Sequence, residues 1–216
     1  MTPIYHITHI ANLPAIIAGG GLACDAEVER QGLCSQSIAY DTIKDRRRLR
    51  TVVNLAGEAI GAGGVLADYV PFYFANRSPM LYAIHRGYVP AYRGEQRDVI
   101  YLVSTAEAVA STGASWCFTD GHAVEGMTNF FESLVDLAKV NWEAVQTRNW
   151  GGNHLFDNPD VKRRKQAEFL VHGSFPWDLI QHIGVLDQAM TLQITKQLDA
   201  CDYKPTLSVE SEWYYT

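Results

Sequence analysis

The sequence predicts a mixed α+β fold in a single domain spanning residues 1–216. Three observations carry this. Short β-prone runs are scattered along the whole chain, short helical segments of unequal length lie between them, and no internal repeat or low-complexity linker divides the 216 residues. The chain is long enough to bury a substantial core, and its composition, 47% hydrophobic and 19% charged, is that of an ordinary globular protein.

Ile4–Thr8 alternates and is β-prone. Asn12 then reads as an N-cap, with Pro14 in the first turn of a short helix over 13–17 and Gly19-Gly20-Gly21 as its stop. Residues 22–34 are polar and irregular. A helix is expected over Ile38–Arg50, with Ile38, Thr42 and Leu49 facing inward. Four glycines between Val52 and Gly64 mark a connection; no Gly-Lys-Ser/Thr follows, so it is not a P-loop. Asp68–Ala75 is a strand with an early proline, and Asn76-Arg77-Ser78-Pro79 leads into a helix from Met80. Further strands are expected at 98–103, 116–120, 168–172 and 183–186. Helices are expected at 104–112, capped by Ser104 or Thr105, at 129–137 and at 191–198, with a helical turn at 176–182.

Several classes are excluded or disfavoured. No apolar run reaches the length of a membrane span, and the start lacks the basic-then-apolar pattern of a signal peptide, so a cytoplasmic location without membrane partners is expected. Cys24, Cys34, Cys117 and Cys201 fit no ligand spacing; they are expected as free thiols, with no metal site. The net charge of −6 is unevenly spread. The segment from Gln166 to the end carries seven acids against two lysines, whereas nine of the 18 basic side chains fall in Lys44–Arg50 and Lys162–Lys165. Clustered cations can bind phosphates on a chain of negative total charge, although each run also fits a solvated face.

The stretch Lys162-Arg163-Arg164-Lys165-Gln166-Ala167-Glu168-Phe169-Leu170-Val171 concentrates the chemistry. Glu168 stands between four cations and an apolar strand. Taken alone it fits a strand-edge acid paired with a nearby Lys or Arg.

Three pieces give it another reading: His6 and Thr8 on the first strand, Tyr73-Phe74-Ala75 with Ser78 and Tyr82, and Glu168 heading a late strand. This order resembles the ADP-ribosyltransferase superfamily, which cleaves NAD at the nicotinamide bond. The closer resemblance is to the DarT toxins, which ADP-ribosylate DNA bases. It runs through Pro3–His9, Ser37–Tyr40 with Ile43–Arg47, Asp68–Phe74 with Arg77–Tyr82, Phe118–Asp120 with His122, and Lys165–Val171.

The resemblance implies a central, mostly antiparallel split sheet flanked by helices. NAD is implied as donor substrate, single-stranded DNA as acceptor with thymine as the base, and a macrodomain antitoxin as partner. Glu168 and Arg47 are the expected catalytic pair, Arg47 preferred over Arg46. Glu168 places negative charge beside an oxocarbenium-like ribose and helps deprotonate the acceptor. His6, Thr8, Asn12, Tyr40, Arg47, Tyr73, Phe74, Ser78 and Met80 are expected to hold NAD. His122, Arg148, Trp150, His154 and the run Lys162, Arg163, Arg164, Lys165 are expected to meet DNA through phosphate contacts and base stacking. Gln166, two residues before the glutamate, suits a protein modifier, so a protein or RNA acceptor stays open. So does a non-catalytic nucleic-acid-binding domain.

Overall fold

A computed structural model describes residues 1–33, 36–151 and 158–216. Its frame is an eight-stranded sheet. In chain order its strands are β1 (Pro3–His9), β3 (Tyr69–Tyr73), β4 (Val99–Thr105), β5 (Trp116–Thr119), β6 (Phe130–Phe131), β7 (Glu168–His172), β9 (His182–Val185) and β10 (Thr206–Val209). They lie side by side as β10-β9-β4-β1-β3-β7-β5-β6, all antiparallel except the edge pair β9–β10. The remaining strands, β2 (Gly21–Ala23) and β8 (Ser174–Pro176), form a separate ribbon.

The helices are short: α1 (Leu13–Ala18), α2 (Asp25–Arg30), α3 (Asp41–Leu49), α4 (Pro79–His85), α5 (Ala106–Ala110), α6 (Trp142–Gln146), α7 (Val161–Lys165) and α8 (Gln188–Leu198). None is long and apolar enough to cross a membrane.

The expected split lies between β1 and β3, and Pro71 accounts for it. The two strands pair only at Tyr5 and Tyr73, whereas β3 and β7 pair along five positions. Pro71 has no N–H to continue the ladder. Its carbonyl is taken instead by the imidazole of His6, whose Nδ1 lies 2.8 Å away. The sheet therefore opens beside Pro71, and a side chain closes the backbone account.

Strand alternation sorts the core into two faces. One carries a large cluster with Ile4, Phe72, Ile100, Leu102, Phe118, Phe169 and Ile183. Within it Phe169 stacks on Trp116 at 5.2 Å between centroids. The other face carries two separate clusters, one around Ile7, Tyr101 and Val103 and one around Tyr69, Cys117 and Leu170. Each fully buried Phe, Leu or Ile contributes roughly 1.5–3 kcal/mol relative to exposure, which holds the two halves of the sheet firm around the opening.

Several local expectations are corrected. The helix over 38–50 begins only at Asp41: Ile38 is buried ahead of it, Thr42 is exposed and Leu49 is 81% exposed. Its inward residue is Arg47, because a carboxylate waits inside. Residues 129–137 are not a helix. They hold β6 and a 3-10 segment, Leu134–Lys139, since Phe130 and Phe131 gain more by pairing with β5. Asn12 does not cap α1; its amide bonds Thr8 Oγ1 and the Gln36 carbonyl. The helix α2 and the strands β8 and β10 lie where no such element was expected. Thr105, rather than Ser104, caps α5. Cys24, Cys117 and Cys201 are free thiols; Cys34 lies outside the described residues.

Candidate active site

A cavity of about 950 Å³ runs through the split in the sheet. Its walls come from both faces: Leu22 and Phe175 on one side, Tyr73 and Glu168 on the other. The volume lies in the range of ligand-binding clefts. His6, Thr8, Asn12, Tyr40, Arg47, Tyr73, Met80, His122 and Glu168 all line it, although they are scattered from residue 6 to residue 168.

At its base is a buried ion pair. Glu168, the first residue of β7, is 3% exposed, and its Oε2 accepts from Arg47 Nη1 at 3.0 Å. Its Oε1 accepts from the Ala123 backbone N–H at 2.9 Å. Arg47 is brought in by α3 and donates also to the carbonyl of Leu66 at 3.1 Å. Its Nε is buried without a hydrogen bond and lies 4.0 Å from Asp25 Oδ2. Arg46, its neighbour, turns outward to Glu125 and the Val124 carbonyl. The helical step of about 100° between consecutive residues separates the two arginines.

The titratable groups around the pair are tuned by burial. Desolvation lowers the pKa of His6, against the raising effect of its bond to Pro71. That bond fixes the proton on Nδ1, so neutral His6 presents Nε2 as an acceptor. His122, on the cavity wall, is likewise lowered by burial, and the charge of Glu168 only partly opposes this. Burial, then the nearby Glu168 charge, pushes the Tyr73 hydroxyl up, so it stays a donor at neutral pH.

Other expected site residues fall elsewhere. Phe74 is buried in the core against Phe118, Trp142 and Phe169, so it has no open face for a nicotinamide or adenine ring. Ser78 is fully buried as the N-cap of α4, its Oγ accepting from the Leu81 N–H. Neither lines the cavity. The cationic run before Glu168 is the helix α7 rather than a loop. Lys165 is 1% exposed, its Nζ tied to the carbonyls of Val145 and Thr147. Burial, with the charge of Arg77, lowers its pKa to about 8. It staples the segment after α6 and is not presented to a phosphate.

Arg163 is saturated by Asp160, Asp120 and Thr128, and Arg164 pairs with Asp160. Lys162 is exposed, with Nζ 6.0 Å from the Trp150 ring centre. Trp150 meets Tyr82 edge-on, and Arg148 is exposed beside Glu212. His154 lies outside the described residues. Sequence reasoning missed Asp25, Lys44 and the Ala123 N–H. Asp25 sits on the unforeseen α2, and a backbone donor leaves no mark in a sequence.

A split antiparallel sheet with a histidine on one lip and a buried, arginine-paired glutamate on the other defines an NAD-cleaving ADP-ribosyltransferase. The family model described as "ssDNA thymidine ADP-ribosyltransferase, DarT" matches residues 5–215, and the chain belongs to that family. It is an NAD-dependent DNA ADP-ribosyltransferase whose acceptor is thymidine in single-stranded DNA.

A DNA ADP-ribosyl transferase of Thermus sp. strain 2.9 is 43% identical over 217 residues, covering 99% of this chain and 96% of that protein. The solved structure of Thermus sp. 2.9 DarT in complex with ADP-ribosylated single-stranded DNA matches with a TM-score of 0.88, at 41% identity, over 99% of this chain and 96% of that one. The same protein in complex with NAD+ matches with a TM-score of 0.86, at 39% identity, over 99% and 98%. A DNA ADP-ribosyl transferase–DNA ADP-ribosyl glycohydrolase fusion protein of Thermosipho africanus is 32% identical over 81 residues, 38% of this chain and 19% of that protein.

Proposed function

We propose that Glu168 and Arg47 are the catalytic pair of this transferase, and that His6, Thr8, Asn12, Tyr40, Tyr73 and Met80 hold NAD in the cavity above them. The observation that carries this is the buried Arg47–Glu168 pair at the base of a cleft whose lip is His6. The residues present fit the donor. Nε2 of His6 is left to accept a ribose hydroxyl, and Thr8 Oγ1 stands beside it on the same strand. Tyr40 and Tyr73 offer flat surfaces for its rings. Arg47 holds a planar donor fork near the position of the pyrophosphate or the acceptor base.

In the reaction the bond between the ribose C1′ and the nicotinamide nitrogen breaks. The same carbon bonds to a thymine ring nitrogen, which gives up its proton. Positive charge gathers on the ribose as nicotinamide leaves, and Glu168 supplies the opposite charge in a site shielded from water. Glu168 also takes part in removing the ring-nitrogen proton, while Arg47 orients the reacting pair.

DNA approaches over His122 and the surface formed by Lys162, Trp150 and Arg148. Gln166, the feature favouring a protein acceptor, has its side-chain amide bonded to the Lys162 carbonyl at 3.1 Å. The 216 residues act as one domain. The protein acts in the cytoplasm as a toxin, countered by a macrodomain antitoxin that removes the ADP-ribose; the Thermosipho africanus fusion, which joins the two activities in one chain, supports this pairing.

The test is a set of short oligonucleotides, single- and double-stranded, each lacking one base, exposed to NAD and analysed by mass spectrometry. Labelling confined to thymine-containing single strands, lost in Glu168→Ala, is the expected result. Preferential labelling of protein side chains would move the acceptor away from DNA.

A further inference from the structure

Arg163 stands within a run of four cations, where a phosphate contact is the obvious reading. Its surroundings point elsewhere. The side chain is 14% exposed, and four of its five N–H donors are spent inside the protein. Nε and Nη2 grip the two oxygens of Asp160 at 2.6 and 2.8 Å. Nη1 reaches both Asp120 Oδ1 and Thr128 Oγ1 at 3.1 Å.

Asp120 and Thr128 are the two ends of the loop that follows β5. Inside that loop the Thr128 hydroxyl donates to the His122 carbonyl at 2.8 Å, and the His122 N–H donates to the Arg163 carbonyl at 2.9 Å. The guanidinium lies against Gly121, where a Cβ would collide with Nη1. Asp120 is held from its other side by the backbone N–H and side-chain amide of Asn129. The product of this loop is one backbone donor, the Ala123 N–H, aimed at Glu168 Oε1.

We infer that Arg163 is a positioning residue for the transfer reaction: it clamps both ends of the Asp120–Thr128 loop, so that Ala123 N–H and His122 are fixed relative to the Glu168 carboxylate. The inference rests on the assignment of Glu168 to catalysis. Arg163 touches neither Glu168 nor the cavity. It acts from the helix α7, five residues before Glu168, and reaches it by way of the loop. Of the two oxygens of Glu168, one is set by Arg47 and the other by this loop. Releasing the loop leaves the carboxylate pivoting on Arg47 alone.

The experiment compares wild type with Arg163→Ala, Arg163→Lys, Thr128→Val and Glu168→Gln, using NAD and a thymine-containing single-stranded oligonucleotide. Arg163→Ala is expected to lower kcat by ~10²-fold, the scale of an ångström-sized misplacement at a reacting centre, with both KM values within about twofold of wild type. Added guanidinium ion should restore part of the rate, and Arg163→Lys should stay impaired because an ammonium cannot hold both loop ends in one plane. The salt dependence of oligonucleotide binding should not change.

Wild-type kcat in Arg163→Ala overturns the inference. So does weakened DNA binding whose salt slope drops by ~0.9 without a fall in kcat, the mark of a lost phosphate contact. If Arg163→Ala shows no cooperative melting, Thr128→Val decides: it is expected to lower kcat about tenfold, the scale of about 1.4 kcal/mol, and an unchanged kcat there overturns the clamp. Full activity of Glu168→Gln would remove the catalytic assignment and the clamp together. An inactive Glu168→Gln beside an unimpaired Arg163→Ala would remove the clamp alone.

Discussion

Removing the charge of Glu168 tests the site most directly, because rate and stability should respond through different contacts. Glu168→Ala deletes the acceptor of both Arg47 Nη1 and the Ala123 N–H. The lost electrostatic contact should cost ~10²–10³ in rate. The same change strands the Arg47 guanidinium, only 7% exposed, with Asp25 no nearer than 4.0 Å. Breaking one side of a buried pair typically costs ~3–5 kcal/mol. For a chain of this size that lowers Tm by roughly 6–20 °C.

Glu168→Gln keeps one acceptor oxygen but turns its amide N–H toward Arg47 or Ala123, so a smaller loss of stability and a similar loss of rate are expected. The double variant Arg47→Met with Glu168→Leu leaves no charge behind. It should be more stable than Glu168→Ala and equally inactive. Calorimetry supplies the Tm values, and mass spectrometry of a thymine-containing strand supplies the rates. If Glu168→Gln retains more than about a tenth of the wild-type rate, the charge of Glu168 is not what accelerates transfer.

Arg47→Ala should lose ~10²-fold or more in rate, while Arg46→Ala, which removes only partly exposed contacts, should stay within a few-fold; single-turnover labelling distinguishes them. His6 has a folded-state pKa below its unfolded value, so its contribution to stability is present above about pH 6.5 and is lost as pH falls through the lowered folded value. Melting of wild type and His6→Gln between about pH 7 and pH 5 should show a shallower acid decline in the variant. Lys162→Glu should weaken binding to single strands and reduce the salt slope by ~0.9 or more, whereas Lys165→Met should leave the slope intact and lower stability by about 1–3 kcal/mol through its orphaned carbonyl partners. Duplex DNA should react roughly two decades more slowly than single strands, since extruding a paired base costs a few kcal/mol; paired oligonucleotides of one sequence measure this.

The sequence by itself determined the strands that frame the site. Ile4–Thr8, Asp68–Ala75 and Glu168–His172 carry local patterns strong enough to be read without partners, and the order of His6, Tyr73 and Glu168 along them marked the chemistry. Tertiary structure decided which way the charged and aromatic residues face. Four adjacent cations before Glu168 look alike in one dimension, yet one is buried against carbonyls, two are bound to Asp160 and Lys162 is exposed. Arg46 and Arg47 differ by one helical step, and only the carboxylate on a strand 121 residues away selects between them. Phe74, adjacent to Tyr73 on the chain, turns to the opposite face and joins the core. Burial and pairing are properties of what arrives from elsewhere in the chain. Local propensity can place an element, but it cannot tell its residues which neighbour will be waiting.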